Sequence, residues 1–299
     1  MEGGLRIETT IGFNGGINDL LKFAPGQTPS VFYPIGGTIV REELSSKKQV
    51  TSKVHNGRIT CLAVSPDGSL FSSGKVIVSG QEMAYYNSVL KAPVFVSDSN
   101  TLKLIHAFEG MTGNVISAKF SPDGQFLAAT DDTGMLNIWG MSDRKVVSSR
   151  VFEKKLSVFE WGAINSTQRY PEYHLVTSNN QNIEVHRLTY DIATMVYKVK
   201  YQHIQLPNTG LNRFYECNQI DSKTGYYYAG TSGGEVCAFD INNKLFKASV
   251  QAGKSAIRSL FFNKATGSLF CGFSNGQLKE LTGGLDRWTI KKEIQLEGK

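Results

Sequence analysis

Apolar and polar residues alternate along most of the chain with the two-residue period of half-buried β-strands. Two stretches nearly repeat each other. Ile59-Thr-Cys-Leu-Ala-Val-Ser-Pro-Asp-Gly68-Ser-Leu-Phe-Ser-Ser-Gly74 is echoed by Val115-Ile-Ser-Ala-Lys-Phe-Ser-Pro-Asp-Gly124-Gln-Phe-Leu-Ala-Ala-Thr130. Each predicts a strand, a Pro-Asp-Gly turn and a second strand. Pro fixes φ, Asp bonds the turn backbone, and Gly takes the left-handed position without steric cost.

The hairpin glycines serve as a ruler. Gly26 to Gly68 and Gly225 to Gly267 are both 42 residues apart, inside the about 40–45 residues of a four-stranded propeller blade. Gly68 to Gly124 is 56, one blade with an insertion, and Gly124 to Gly225 is 101, two blades with a turn near Gln168–Tyr173. A second Gly/Asn/Asp-rich turn follows each hairpin, as in Asp131-Asp-Thr-Gly-Met-Leu136 and Thr231-Ser-Gly-Gly-Glu-Val236, and leads into a third strand. Fourth strands are expected at Thr101–Phe108, Lys145–Phe152, Thr194–Ile204, Lys244–Val250 and Trp288–Leu296. The fold class is therefore all-β: six four-stranded blades in one domain, at about 17–53, 54–109, 110–153, 154–207, 208–251 and 252–298. Leu5–Ile11 alternates cleanly and is left over. Such a strand ties a propeller shut and hides its edges, so the ring is six-bladed or an incomplete seven-bladed one.

Composition narrows the class further. Hydrophobic residues at 40% supply a large core, and charged residues at 19% argue against disorder. The net charge of +6 is scattered, and it suits an acidic partner as well as an ordinary soluble surface. Cys61, Cys217, Cys237 and Cys271 lie far apart in strand-like runs with no CxxC pair, which reads as buried free thiols in a reducing compartment. No apolar run approaches the ~20 residues that span a bilayer, and Met1–Arg6 opens no signal peptide. The expected setting is cytoplasmic.

The third blade carries a partial signature. Leu136-Asn-Ile-Trp139 ends its third strand, and Asp132 lies in the turn before it. In these residues the chain resembles the WD-repeat proteins, in which a turn Asp, a first-strand Ser or Thr, a Trp and a Gly-His pair form a buried network in each blade. Carried over, the resemblance implies structural roles for His55, Asp132 and Trp139. Gly140 stands where the WD Asp would be, Met111 where a His would be, and Val96 where the second blade's Trp would be. No blade keeps the whole set, so stability is expected mainly from apolar packing between sheets, at about 25 cal/mol per Å².

A closer resemblance rests on Ile11-Gly-Phe-Asn-Gly15, Phe32-Tyr-Pro-Ile-Gly-Gly-Thr-Ile-Val40, His55-Asn-Gly-Arg-Ile-Thr-Cys-Leu-Ala63 and Ser73-Gly-Lys-Val76. Ser255–Leu260 and Ile290–Leu296 fit it as well. These segments are similar to a WD-repeat family of motile cilia and flagella. The resemblance implies a non-enzymatic protein of two tandem propellers inside the axonemal doublet microtubule, binding tubulin and neighbouring proteins. That family runs on past the point matching Lys299, so this chain is a fragment or a shortened relative. The insert between Lys75 and Lys91 is bulkier than the family shows.

Contact residues follow from the same segments. The insert carries Met83, Tyr85 and Tyr86, types favoured at interfaces, between Lys75 and Lys91. Met195–His203 alternates Lys198 and Lys200 with Val199 and Tyr201. Such a ribbon grips an acidic surface or nucleic acid, or it is an outermost strand guarded with lysine. The edge-strand reading is favoured, and its lysines are left for a protein partner. Asp131-Asp132 lacks a third oxygen ligand and reads as turn capping by Asp132 rather than a cation site. The five histidines show no ligand spacing, Gly12–Gly16 opens no helix, and no GxSxG, HExxH or DFG-like motif occurs. The expected protein is thus a scaffold with no catalytic residue, cofactor, metal, nucleic acid, membrane or small-molecule substrate. The alternative is a generic adaptor, for example a substrate-recruiting subunit of a ubiquitin ligase.

Overall fold

The computed structural model describes residues 17, 19–25, 28–75, 93–166, 169–179, 182–207, 212–221, 223–284 and 287–296. Every element assigned among them is a β-strand, and the 24 strands form six four-stranded antiparallel sheets. The first holds β1 (Lys22–Ala24), β2 (Ser30–Ile35), β3 (Thr38–Glu43) and β4 (Gln49–Lys53). The second holds β5 (Ile59–Val64), β6 (Leu70–Lys75), β7 (Val94–Asp98) and β8 (Leu104–Phe108). The third holds β9 (Val115–Phe120), β10 (Phe126–Asp131), β11 (Met135–Gly140) and β12 (Val146–Val151). The fourth holds β13 (Val158–Trp161), β14 (Tyr173–Asn179), β15 (Asn182–Asp191) and β16 (Val196–His203). The fifth holds β17 (Tyr215–Asp221), β18 (Tyr226–Thr231), β19 (Glu235–Asp240) and β20 (Leu245–Gln251). The last holds β21 (Ile257–Asn263), β22 (Ser268–Phe273), β23 (Gln277–Thr282) and β24 (Thr289–Gln295). Within each sheet the strands pair in chain order. The chain divides into two compact units, Met1–Lys155 and Leu156–Lys299, with three sheets each. Leu5–Ile11 lies outside the described residues.

The twin hairpins match bond for bond. Ser65 N–H donates to Leu70 O at 2.8 Å, Gly68 N–H to Ser65 O at 2.9 Å, and Ser65 Oγ to Asp67 Oδ1 at 2.5 Å. Their counterparts are Ser121 to Phe126 O at 2.8 Å, Gly124 to Ser121 O at 2.9 Å, and Ser121 Oγ to Asp123 Oδ1 at 2.7 Å. Both glycines sit at φ 73°, which favours glycine. The serine is an equal partner in this turn, closing the ring that Asp and Gly begin.

Another turn recurs without glycine. Lys47, Leu102, Arg144, Met195 and Lys244 all take left-handed φ between 56° and 58°, each in the turn before a fourth strand. Lys47, Leu102 and Met195 each donate N–H to the carbonyl four residues earlier, at 2.8–2.9 Å, which closes that turn.

Register shows which sheets are regular. Phe71, Leu127, Tyr227 and Leu269 pair with Ser97, Trp139, Phe239 and Leu281, and a bulge falls just before each of these four. The same four sheets carry a first-strand bulge, at Ile59/Cys61, Val115/Ser117, Tyr215/Cys217 and Ile257/Ser259. The first and fourth sheets show neither. Ser97, rather than Val96, therefore occupies the tryptophan position of the second sheet, since it pairs with Phe71 as Trp139 pairs with Leu127.

Sheets within a unit pack face to face through close approach. A Cβ on Gly74 would lie 2.6 Å from Val115 Cβ, and one on Gly230 would lie 2.8 Å from Ile257 Cγ2. Glycine here lets the first strand of the next sheet come within contact of the second strand. Val94, Val96, Phe108, Val115, Leu127 and Trp139 fill the core shared by the second and third sheets. Val176, Ile183, Tyr215, Tyr227, Phe239 and Ile241 do the same for the fourth and fifth.

Candidate protein-interaction surface

The network of the third sheet centres on Asp131. Its side chain is fully buried at the end of β10, and Oδ2 accepts from Thr112 N–H at 2.9 Å and Gly113 N–H at 2.8 Å. Oδ1 accepts from Thr133 N–H and Met135 N–H, both at 3.0 Å. Burial alone would raise its pKa, but these donors outweigh it and hold the carboxyl below the usual range. Asp132 is exposed and accepts from Asn114 N–H at 2.9 Å and Asn114 Nδ2 at 2.6 Å. The sequence singled out Asp132 for the buried role, whereas the structure gives it to its neighbour, since β10 is buried throughout and ends at Asp131, and Asp132 opens the exposed turn. Trp139 is 1% exposed, its ring 5.3 Å from Phe108. Met111 is buried at the histidine position, and Asn137 Nδ2 reaches its sulfur at 3.5 Å. Among the described residues no group of three His, Cys, Asp or Glu is placed to hold a metal.

In the second sheet His55 is buried, with Nε2 2.8 Å from Ser73 Oγ and its ring stacked on Phe95 at 4.5 Å. Burial, with Lys75 adding like charge, pushes it down from 6.5 to about 4. A lowered folded-state value means the unfolded chain takes up its proton first. The contribution is complete above the ordinary value of 6.5 and is lost as pH falls towards 4. Lowering pH from about 7 to about 5 is expected to remove about 2 kcal/mol through this group. Urea unfolding at both pH values should show His55→Gln losing about 2 kcal/mol less than the parent; an equal loss would assign the effect elsewhere.

Cys61, Cys217, Cys237 and Cys271 are free and buried. Burial pushes Cys61, Cys237 and Cys271 up to about 12 and raises Cys217 as well, so all four stay protonated at neutral pH.

Of the contact residues expected from the sequence, Lys75, Lys198 and Lys200 fall among the described residues. Lys75 closes β6 opposite Ile59, at the register position that Asp131 holds in the third sheet. Met83, Tyr85, Tyr86 and Lys91 lie outside the described residues. Lys198 and Lys200 are exposed on β16, the outermost strand of its sheet. Lys198 pairs with Asp191.

Lys200 instead opens onto a groove of about 730 Å³ in the second unit. One wall is formed by Val185 and Arg187 of β15 with Lys200 to Gln202 of β16. The other is formed by Lys223 to Gly225 with Ile241, Asn242 and Lys244, from the turns that flank β18 and β19. Glu172 and His174 enter at the start of β14. Glu172 lies 2.5 Å from Arg187 Nη2 and 2.9 Å from His174 Nε2. Burial would raise the Glu172 carboxyl, and the bonds from Arg187 and His174 outweigh it, leaving it lowered. Sequence spacing missed this groove. Its one readable trace is the alternation that puts Lys198 and Lys200 on the same face.

A family model described as "WD domain, G-beta repeat" matches residues 46–80 and 102–140. Those two segments are similar to WD40 repeats. It is 26% identical over 287 residues to Cilia- and flagella-associated protein 52 of Chlamydomonas reinhardtii, covering 93% of this chain and 42% of that protein. The Homo sapiens protein of the same name is 24% identical, covering 97% of this chain and 46% of its own length. The chain thus spans less than half the length of these relatives. Among solved structures it is similar to the Cps50 (Swd1) β-propeller domain of Myceliophteria thermophila. The TM-score is 0.59 at 14% identity, over 81% of this chain and 74% of that one. The fold is an all-β propeller, with six four-stranded blades among the described residues.

Proposed function

We propose that this chain is a non-catalytic WD-repeat scaffold of the cilium or flagellum, which binds tubulin and neighbouring proteins of the axonemal doublet microtubule. The observation that carries this reading is similarity to Cilia- and flagella-associated protein 52 along 93% of the chain or more. Generic blade chemistry cannot account for it, since no blade keeps the whole WD network. A β-propeller supports such a role because rigid sheets hold exposed turns at fixed spacing. The pI of about 9.0 suits an acidic protein surface. Lys75, Lys198 and Lys200, with Met83, Tyr85, Tyr86 and Lys91 of the insert, are the proposed contact residues.

Localisation tests the reading. A tagged full-length protein in a ciliated or flagellated stage is expected to remain with detergent-extracted axonemes and to leave them only under conditions that dissolve the doublets. A diffuse cytoplasmic signal, absent from axonemes, would favour the adaptor and overturn the axonemal role.

A further inference from the structure

The groove of the second unit carries charge that its own chain leaves uncompensated. Glu172 is the one carboxylate among its lining residues, and Arg187 and His174 already engage it. Lys200, Lys223 and Lys244 line the same groove, and none takes part in an ion pair among the described residues. Like charges sharing one concavity repel, so an anion that neutralises them gains on entry. The cations are held in place by ordered backbone. Lys200 is on β16, Lys244 sits in a turn at φ 56°, and Lys223 precedes Gly225 at φ 76°. Val185 and Ile241, both buried, supply an apolar floor.

Two features select the class of ligand. β16 ends its sheet, so its outer backbone groups face no further strand of that sheet and offer hydrogen bonds to an extended chain. Tyr201 and His174 are the aromatic rings among the lining residues, and Glu172 already engages His174, which leaves too few to stack successive bases. We propose that this groove binds an extended acidic peptide of a partner protein, whose carboxylates or phosphoserines meet Lys200, Lys223 and Lys244. The assignment stands apart from the axonemal role, since it rests on the groove alone.

Fluorescence anisotropy on the full chain tests it. The probe is a fluorescein-labelled octapeptide, GEELEEGG. A second arm replaces two glutamates by phosphoserine, and a third replaces every glutamate by glutamine. Saturable binding of at least one acidic arm is expected, with none of the glutamine arm. Binding of the phosphoserine arm alone would assign the ligand as a phosphorylated segment. Binding of the glutamate arm would show that carboxylates suffice. The double variant Lys200→Glu/Lys223→Glu should weaken binding by about tenfold or more. Lys48→Glu/Lys53→Glu, on the other unit and also exposed, makes the same change in net charge and should stay within about twofold. Circular dichroism confirms that both doubles remain folded. The proposal is overturned by no binding of either acidic arm at about 1 mM, by equal binding of the glutamine arm, or by equal weakening in both doubles. Displacement by oligothymidine at lower concentration than by unlabelled peptide would overturn it in favour of nucleic acid.

Discussion

Replacing Trp139 by alanine is expected to cost about 3–5 kcal/mol, the range for deleting a large aromatic from a packed core. The indole is 1% exposed in the cluster that joins the second and third sheets, 5.3 Å from Phe108. The register explains why no smaller residue substitutes freely. At the equivalent position the fifth sheet uses Phe239 and the last uses Leu281, both buried, while the second uses Ser97 and places Phe71 opposite it. Each sheet thus keeps bulk at this cross-strand pair, whichever strand supplies it. Trp139→Phe should therefore cost only about 1–2 kcal/mol, because phenylalanine already serves in the fifth sheet. Denaturant unfolding followed by circular dichroism measures both. A loss under about 1 kcal/mol for the alanine variant would mean that the sheets are not held by this inter-sheet packing.

Much of the blade repeat was legible because its punctuation is chemical. Gly225 and Gly267 sit where φ is positive, so their 42-residue spacing measures the blade, and four strands per sheet follow. The turns at Lys47, Leu102, Arg144, Met195 and Lys244 were invisible for the opposite reason. Their left-handed residues are not glycine, and no residue type marks them. Composition also does not mark which residue of β7 faces Phe71, and the structure puts Ser97 there rather than its neighbour Val96. The groove was the least legible feature. Arg187, Lys200, Lys223 and Lys244 belong to two strands and two turns of different sheets, and only the fold brings them together. Lys198 looked equivalent to Lys200 by alternation, yet Asp191 neutralises it.

Asp131→Ala is expected to cost about 2–4 kcal/mol, since removing a buried charged acceptor leaves its backbone donors without their partner. Four backbone N–H groups converge on this carboxylate, two from the loop before β9 and two from the turn into β11. The loss should appear as a lower denaturant midpoint with little change in slope, because the surface exposed on unfolding hardly alters. Asp132→Ala removes only exposed bonds to Asn114 and should cost less than about 1 kcal/mol. The fifth sheet supplies an internal control. Thr231 stands at the same register position and accepts Glu235 N–H at 3.0 Å, as Asp131 accepts Met135 N–H. Asp131→Thr should therefore recover part of the loss through the Met135 bond, while the amides of Thr112 and Gly113 stay unmet. The pH dependence has a definite sign. With its folded-state value held below 3.8, Asp131 contributes fully above that value and loses its contribution as pH falls through the lowered one. The alanine variant should accordingly lose less stability than the parent between about pH 4 and about pH 2. If Asp132→Ala proved the costlier change, the buried network would belong to Asp132, and the inward turn of Asp131 would carry no structural weight.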